Sequence, residues 1–186
     1  MSTGVSLTHA DAERVLSEWD APGPSQEGLA QAYLGFLAAR PDATDRTCTP
    51  GHLTASALVF DHDLTHIALV LHGRFGIWIQ AGGHIERTDV TLREAATREV
   101  REELGLEVDL IGPATLNVHP VICRGYTEVT RHFDVRFVGR AAPGAELTCS
   151  SESRDVAWWP LDALPEGLRD ELHELITLGR ARLAAQ

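Results

Sequence analysis

A chain of 186 residues with 44% apolar side chains is long enough for a sizeable core and fits one domain with an extension better than two full domains. Its formal charge of −11 excludes the clustered basic surface that sequence-independent nucleic-acid binding requires, and no apolar run approaches the ~20 residues that cross a bilayer. An acidic protein that handles phosphate esters needs a cation to bridge the repulsion.

Residues 1–49 read as a helical N-terminal extension with a linker. One helix is predicted from near Thr8 through Val15, Leu16 and Trp19, and Ala21-Pro22-Gly23-Pro24-Ser25 breaks it. A second spans Gln26 to Arg40, with Leu29, Tyr33, Phe36 and Leu37 on one stripe and Pro41 closing it. The first twenty residues have no basic start followed by an apolar stretch, so no secretory signal is expected. The three cysteines, Cys48, Cys123 and Cys149, show neither a metal-ligand spacing nor a disulfide framework. Both features point to a reducing, cytoplasmic setting.

The pattern changes at residue 50. Leu53–Phe60 and His66–Leu71 are short apolar runs around Asp61-His62-Asp63, a hairpin pattern. Ile77–Gln80 predicts another strand, after which the chain is expected to turn sharply at Gly82-Gly83 through backbone angles closed to other residues. A helix is predicted from Asp89 to Leu104, closed by Gly105. Further strands are expected at Ala114–Val121, His132–Gly139 and Asp155–Trp159, and a last helix from about Pro165 to Ala184. Strands interleaved with helices, without internal repeats, predict a mixed sheet between helical layers, with residues 50–186 as one domain.

The helix after the glycine pair carries the sharpest signal. Glu99, Glu102 and Glu103 stand at i, i+3 and i+4 and share a face with Leu92, Ala95 and Ala96, opposite Arg93, Glu94, Thr97 and Arg101. Carboxylates continuing an inward apolar stripe repel one another. A hard divalent cation relieves that repulsion, because Mg²⁺ takes carboxylate and phosphate oxygens together. On an isolated helix such acids are a solvated face paired with arginines; the upstream glycines and the inward phase favour the metal reading here.

This segment resembles the Nudix signature, G-x5-E-x7-R-E-U-x-E-E-x-G-U with U aliphatic. Arg98, Glu99, Val100, Glu102, Glu103, Gly105 and Leu106 match position by position. Counted from Gly83, the family's first glutamate falls on Asp89, and eight residues rather than seven separate it from Arg98; Asp89 is alternatively the helix N-cap. Trp78 and Trp158-Trp159-Pro160-Leu161 also resemble Nudix domains, so the likeness covers roughly residues 50 to 180. It implies a Nudix-type α/β/α sandwich with a mixed β-sheet, preceded by the short helical extension. It also implies an Mg-dependent pyrophosphohydrolase that cleaves the diphosphate linkage of a nucleoside diphosphate-X or nucleoside triphosphate. By the same resemblance Mg²⁺, or Mn²⁺ in its place, sits on Glu99, Glu102, Glu103 and the Gly82 carbonyl, and Arg98 orients the glutamates. The general base falls to Glu102 or to Glu152 in the polar loop Ser150–Arg154. The alternatives are a non-catalytic nucleotide-sensing Nudix module and an isoprenoid diphosphate isomerase. The complete metal-ligand set speaks against the first, and the lack of a cysteine placed by motif against the second.

Lesser candidates are Arg74 and His84 as contacts to substrate phosphate. The nine histidines are scattered without a helical metal spacing, and His119 and His132 are expected to be structural. Trp78, Trp158, Phe133 and Phe137 are expected mostly to pack in the core. Cys123 has no base identifiable in sequence. The expected partner is a small nucleotide-like diphosphate, not nucleic acid or a membrane. The N-terminal helices either cover the cleft or build a homodimer contact.

Overall fold

A computed structural model of the chain describes residues 5–150 and 153–186. Two helices, α1 (Leu7–Glu18) and α2 (Pro24–Ala39), precede strands β1 (His52–Phe60), β2 (His66–His72), β3 (Trp78–Ile79) and β4 (Ala81–His84). Then come α3 (Leu92–Leu104), β5 (Leu110–Val121), β6 (Thr130–Arg140), β7 (Ser153–Pro160) and α4 (Asp170–Ala184). The seven strands form one mixed sheet ordered β3-β2-β1-β6-β5, with β4 also on β1 and β7 on β2. β1 and β6 run parallel, and β1 pairs antiparallel with β2 and β4.

β1 is buried at every position, as a strand covered on both faces must be. Its alternate residues Leu53, Ala55, Ala57 and Val59 join one core with Tyr33 and Leu37 of α2 and Leu92, Ala96 and Val100 of α3. Leu58 and Phe60 face the other way and pack with Ile67, Val138 and the α4 residues Leu172 and Leu175. Helices thus cover both faces of the sheet, as an α/β/α sandwich requires.

The N-terminal helices are fastened to the sheet by side chains that reach its backbone. Gln26 accepts from the Leu116 N–H at 2.7 Å and donates to the Leu116 carbonyl at 3.3 Å. The Tyr33 hydroxyl lies 2.8 Å from the Asn117 carbonyl and 3.0 Å from that of Asp134. Trp19 donates to Pro113 at 2.7 Å. α1 also fixes the chain before α3: Asp11 accepts from the Leu92 N–H at 2.9 Å, and the Thr8 hydroxyl donates to the Asp89 carbonyl.

The elements depart from the sequence reading at α3, at α4 and at the glycine pair, and β5 starts earlier than expected, at Leu110. α3 starts at Leu92 and not at Asp89, because the Thr91 hydroxyl accepts from the Glu94 N–H as N-cap; Asp89 is not the cap. α4 starts at Asp170, after Gly167 takes a positive φ of 77°. The glycine pair is no sharp turn but lies inside β4, where Gly82 pairs with Ser56 and Gly83 with Ala55. Among the described residues no helix is long and apolar enough to cross a membrane.

Candidate functional site

A cleft of about 2390 Å³ opens over strands β1, β4 and β6 of the sheet. Its walls include β4, the acidic end of α3, the first residues of α1 and the loops after β2 and β5. The glycines of β4 are explained by closeness, not by backbone angle, since neither takes a positive φ. A Cβ on Gly82 would stand 2.2 Å from the Ser56 Cβ, and one on Gly83 would stand 2.5 Å from a Glu99 carboxylate oxygen. Only glycine lets α3 bring its acids this near the strand.

The three glutamates all line the cleft, but unequally. Glu99 is 13% exposed at its side chain, while Glu102 is 54% exposed. The expectation that all three continue the apolar stripe is therefore corrected: the buried stripe is Leu92, Ala95, Ala96, Val100 and Leu104, and the acids sit at its margin, turned to the cleft. Glu103 accepts from the Gly82 N–H at 2.9 Å, which ties helix to strand.

Arg98 is the hub of this wall. Its Nε and Nη2 fork onto Asp89 at 3.2 and 2.9 Å, and Nη1 reaches Glu99 at 2.9 Å and Glu102 at 3.0 Å. Nη2 also donates to the His84 carbonyl at 2.9 Å. Asp89 completes its own shell by accepting from the Glu86 N–H at 2.8 Å. The inserted residue and the shorter acid before α3 are thus absorbed, since Asp89 reaches the guanidinium from a loop position. Burial works against the Arg98 charge, but Asp89 and Glu99 outweigh it and hold the guanidinium firmly protonated. Burial pushes the Glu99 carboxyl up to about 7 although Arg98 pulls it down. One guanidinium touching three carboxylates leaves this buried acid short of positive charge, which fits a site for a divalent cation.

The floor of the cleft is a polar stripe on the sheet. Thr54 and Ser56 of β1 donate to Asp134 of β6 at 3.1 and 2.9 Å, and Arg136 joins the same carboxylate at 2.9 Å. Gln80 bridges to Ser56 at 3.2 Å. Burial alone would raise the Asp134 carboxyl, but Arg136 and Ser56 hold it below the usual carboxylate range.

At the end of this stripe lies a group that the sequence reading missed. His52, His84 and His132 aim their Nε2 atoms at the Cys123 sulfur, at 3.7, 3.5 and 3.3 Å. Burial lowers all three imidazoles, His84 to about 4 and His132 to about 3, and raises the Cys123 thiol. His84, expected as a substrate contact, lines the cleft and turns its Nε2 to this histidine and cysteine cluster. Linear spacing gave no hint, because the four residues come from separate segments. The available signal was a period of two: His52-x-Thr54-x-Ser56 and His132-x-Asp134-x-Arg136 put their polar members on one face of paired strands.

Arg74 lines the cleft and donates to the Ile122 carbonyl at 2.7 Å, which joins the loops after β2 and β5. Phe133 stacks on Phe36 at 4.3 Å, and Phe137 is buried. Trp158 packs against the core, while Trp78 meets Trp159 edge-on and borders the cleft. Glu152 lies outside the described residues.

A family model described as the NUDIX domain matches residues 50–178. Among solved structures, the MutT protein from Methanosarcina mazei Go1 is 20% identical with a TM-score of 0.58, covering 75% of this chain and 99% of its own. The Ap4A hydrolase of C. elegans is 16% identical with a TM-score of 0.56, covering 72% of this chain and 98% of its own. The NUDIX domain of Shewanella oneidensis NrtR, complexed with ADP ribose, is 21% identical with a TM-score of 0.53, covering 80% and 97%. At such identities the likeness is one of fold. No curated protein matches the sequence.

Proposed function

The chain belongs to the Nudix hydrolase family, and from that premise we propose that it is a divalent-metal-dependent pyrophosphohydrolase that cleaves a nucleoside diphosphate linked to a second group, or a nucleoside triphosphate. The observation that carries this reading is the convergence of Glu99, Glu102 and Glu103 on one cleft wall around Arg98. Structures of similar fold are described as an Ap4A hydrolase, a domain complexed with ADP ribose and an ADP-ribose pyrophosphatase. Each of those names contains a nucleotide joined to another group through phosphates, which supports the substrate class.

Glu99, Glu102, Glu103 and the Gly82 carbonyl are the groups that would hold Mg²⁺ or Mn²⁺. Such an ion, when bound, offsets the charge of the phosphates and makes water a better nucleophile. The residues themselves supply orientation. Arg98 fixes Glu99 and Glu102 through charge-assisted bonds, and the Gly82 N–H fixes Glu103. Glu102, exposed where Glu99 and Glu103 are half-buried, is suited to take the proton of the attacking water. Glu152, which lies just ahead of β7 in the sequence, is the second carboxylate proposed for that role. The cluster of charge on α3 has no need of a catalytic purpose in a mere sensor, so a silent binding module is the weaker reading.

The test is direct. The chain is incubated with Mg²⁺ and a panel of nucleoside triphosphates and nucleoside diphosphate conjugates, and phosphate-containing products are followed. Glu103→Gln is expected to lower turnover by at least about 100-fold with an unchanged far-ultraviolet spectrum. Full activity in that variant would remove the carboxylates from the reaction; tight nucleotide binding without any product would establish a sensor.

A further inference from the structure

The cluster around Cys123 lies beside the carboxylate wall but shares no side chain with it. It unites β1 (His52), β4 (His84), β6 (His132) and the loop after β5 (Cys123). The sulfur and the three imidazole nitrogens all lie within 4.8 Å of one another. The rings are mutually spaced at 5.1, 5.0 and 5.0 Å between centroids, so none is an outlier to the group. Cys123 is 4% exposed and His52 is 1% exposed.

Hydrogen bonding to sulfur, a weak donor and a weak acceptor, gives little reason to gather three imidazoles on one thiol. A thiol carries one proton and can donate to one of the three nitrogens that face it. The His52 Nδ1 lies 3.1 Å from the Cys48 carbonyl, an oxygen that can only accept. That contact places the ring proton on Nδ1 and leaves the Nε2 lone pair bare toward the sulfur. The Nε2 lone pair of His52 thus faces the sulfur inside a buried pocket, where a cation between them would find two donors. Anchoring of the remote ring nitrogen by a backbone carbonyl is also what holds a metal-ligating histidine in register.

The three sulfur-to-nitrogen edges match a known geometry. A tetrahedral zinc ion with Zn–S near 2.3 Å and Zn–N near 2.05 Å sets each sulfur-to-nitrogen edge at about 3.6 Å. The observed edges of 3.7, 3.5 and 3.3 Å bracket that value. One thiolate and three imidazoles form a donor set for zinc and not for magnesium, which takes oxygen. Four protein ligands leave no position for water or substrate, so the site is of the closed, structural kind.

We propose that His52, His84, Cys123 and His132 bind one zinc ion, which fastens the loop after β5 to strands β1, β4 and β6 at the margin of the cleft. The ion also bears on the carboxylate wall, because the carbonyl of His84 receives Arg98 Nη2 at 2.9 Å. Zinc therefore holds the strand against which Arg98 is braced. This site stands or falls separately from the hydrolase reading, since its ligands are different side chains and its readout is metal content.

The full chain is produced with zinc in the medium, gel-filtered in excess Mg²⁺, and analysed by atomic emission. About one zinc per chain is expected both for the unsubstituted protein and for the double variant Glu99→Gln, Glu103→Gln, with at least a tenfold loss in Cys123→Ser and in His132→Gln. Co²⁺ added to zinc-free protein is expected to give a thiolate charge-transfer band and the intense visible bands of four-coordination, both weakened in Cys123→Ser. Zinc retained equally by Cys123→Ser and His132→Gln, or lost with the glutamates instead, would overturn the assignment. Should both ligand variants fail to fold, the cobalt spectrum of the unsubstituted chain decides, and the absence of the thiolate band refutes the site.

Discussion

Arg98 illustrates how much one side chain organises. Its five N–H groups are spread over Asp89, Glu99, Glu102 and the His84 carbonyl, which join a loop, a helix and a strand. A lysine keeps the charge but presents a point, not a planar fork. Arg98→Lys is therefore expected to lower kcat by about 10–100-fold with a smaller change in KM, since it disturbs the placing of carboxylates rather than substrate contact. Steady-state kinetics with the substrate found in the nucleotide panel checks this. A kcat within a factor of about two of the unsubstituted enzyme would show that the fork is dispensable. The identity of Arg98 and its acids was readable in sequence, because helical spacing alone puts Glu99, Glu102 and Glu103 together. The partner of Asp89 was not, because its bond crosses from loop to helix and no periodic pattern records it.

At the scale of elements, the β1–β2 hairpin rests on Asp61. Its carboxylate accepts from the Thr65 N–H at 2.7 Å, the His66 N–H at 3.0 Å and the Thr65 hydroxyl at 2.9 Å. Burial would raise this carboxyl, but the bonds from His66 and Thr65 outweigh it and hold it below the usual carboxylate range. A depressed carboxyl contributes stability above its unfolded value, and that contribution is lost as pH falls through the folded value. Asp61→Ala is expected to lower unfolding free energy by about 1–2 kcal/mol at neutral pH. The gap between the two proteins should then narrow below about pH 4. Urea denaturation at pH 7 and pH 3 reads both terms; a gap that stays constant would mean the carboxylate charge plays no part.

Long apolar runs made β1, β2, β5 and β6 legible as strands, and helical spacing with the closing Gly105 did the same for α3. β4 escaped because Ala81-Gly82-Gly83-His84 has little strand propensity and reads as a turn. It is a strand because pairing with β1 and the need for close approach by Ser56 and Glu99 override the local preference. The histidine and cysteine cluster escaped for a related reason: its histidines meet through sheet register, with His52 opposite His132 and Thr54 opposite His84, and Cys123 reaches them from the loop after β5.

Across the whole molecule, the N-terminal helices share the core of the sheet and shield its edge. β5 ends the strand order, and the backbone groups of its Leu116 are turned to the amide of Gln26. An edge left bare invites pairing with other chains. Gln26→Ala strands a buried N–H and a buried carbonyl at once, and is expected to lower unfolding free energy by about 1–3 kcal/mol. Chemical denaturation measures this, and the variant should also lose solubility first on warming. An unchanged denaturation midpoint would mean that water replaces the glutamine without loss.

The parallel pairing of β1 with β6 has a kinetic meaning. Thr54 and its partner Asp134 are 80 positions apart, and Gln26 and Leu116 are 90 apart. A growing polypeptide emerges from the ribosome at about 5–20 residues per second, so α2 and β1 wait several seconds before the strands that cover them exist. During that interval the edge of β1 that takes β6 and the side of α2 that takes β5 stay open, and the nascent chain depends on their remaining unpaired until those strands have left the exit tunnel.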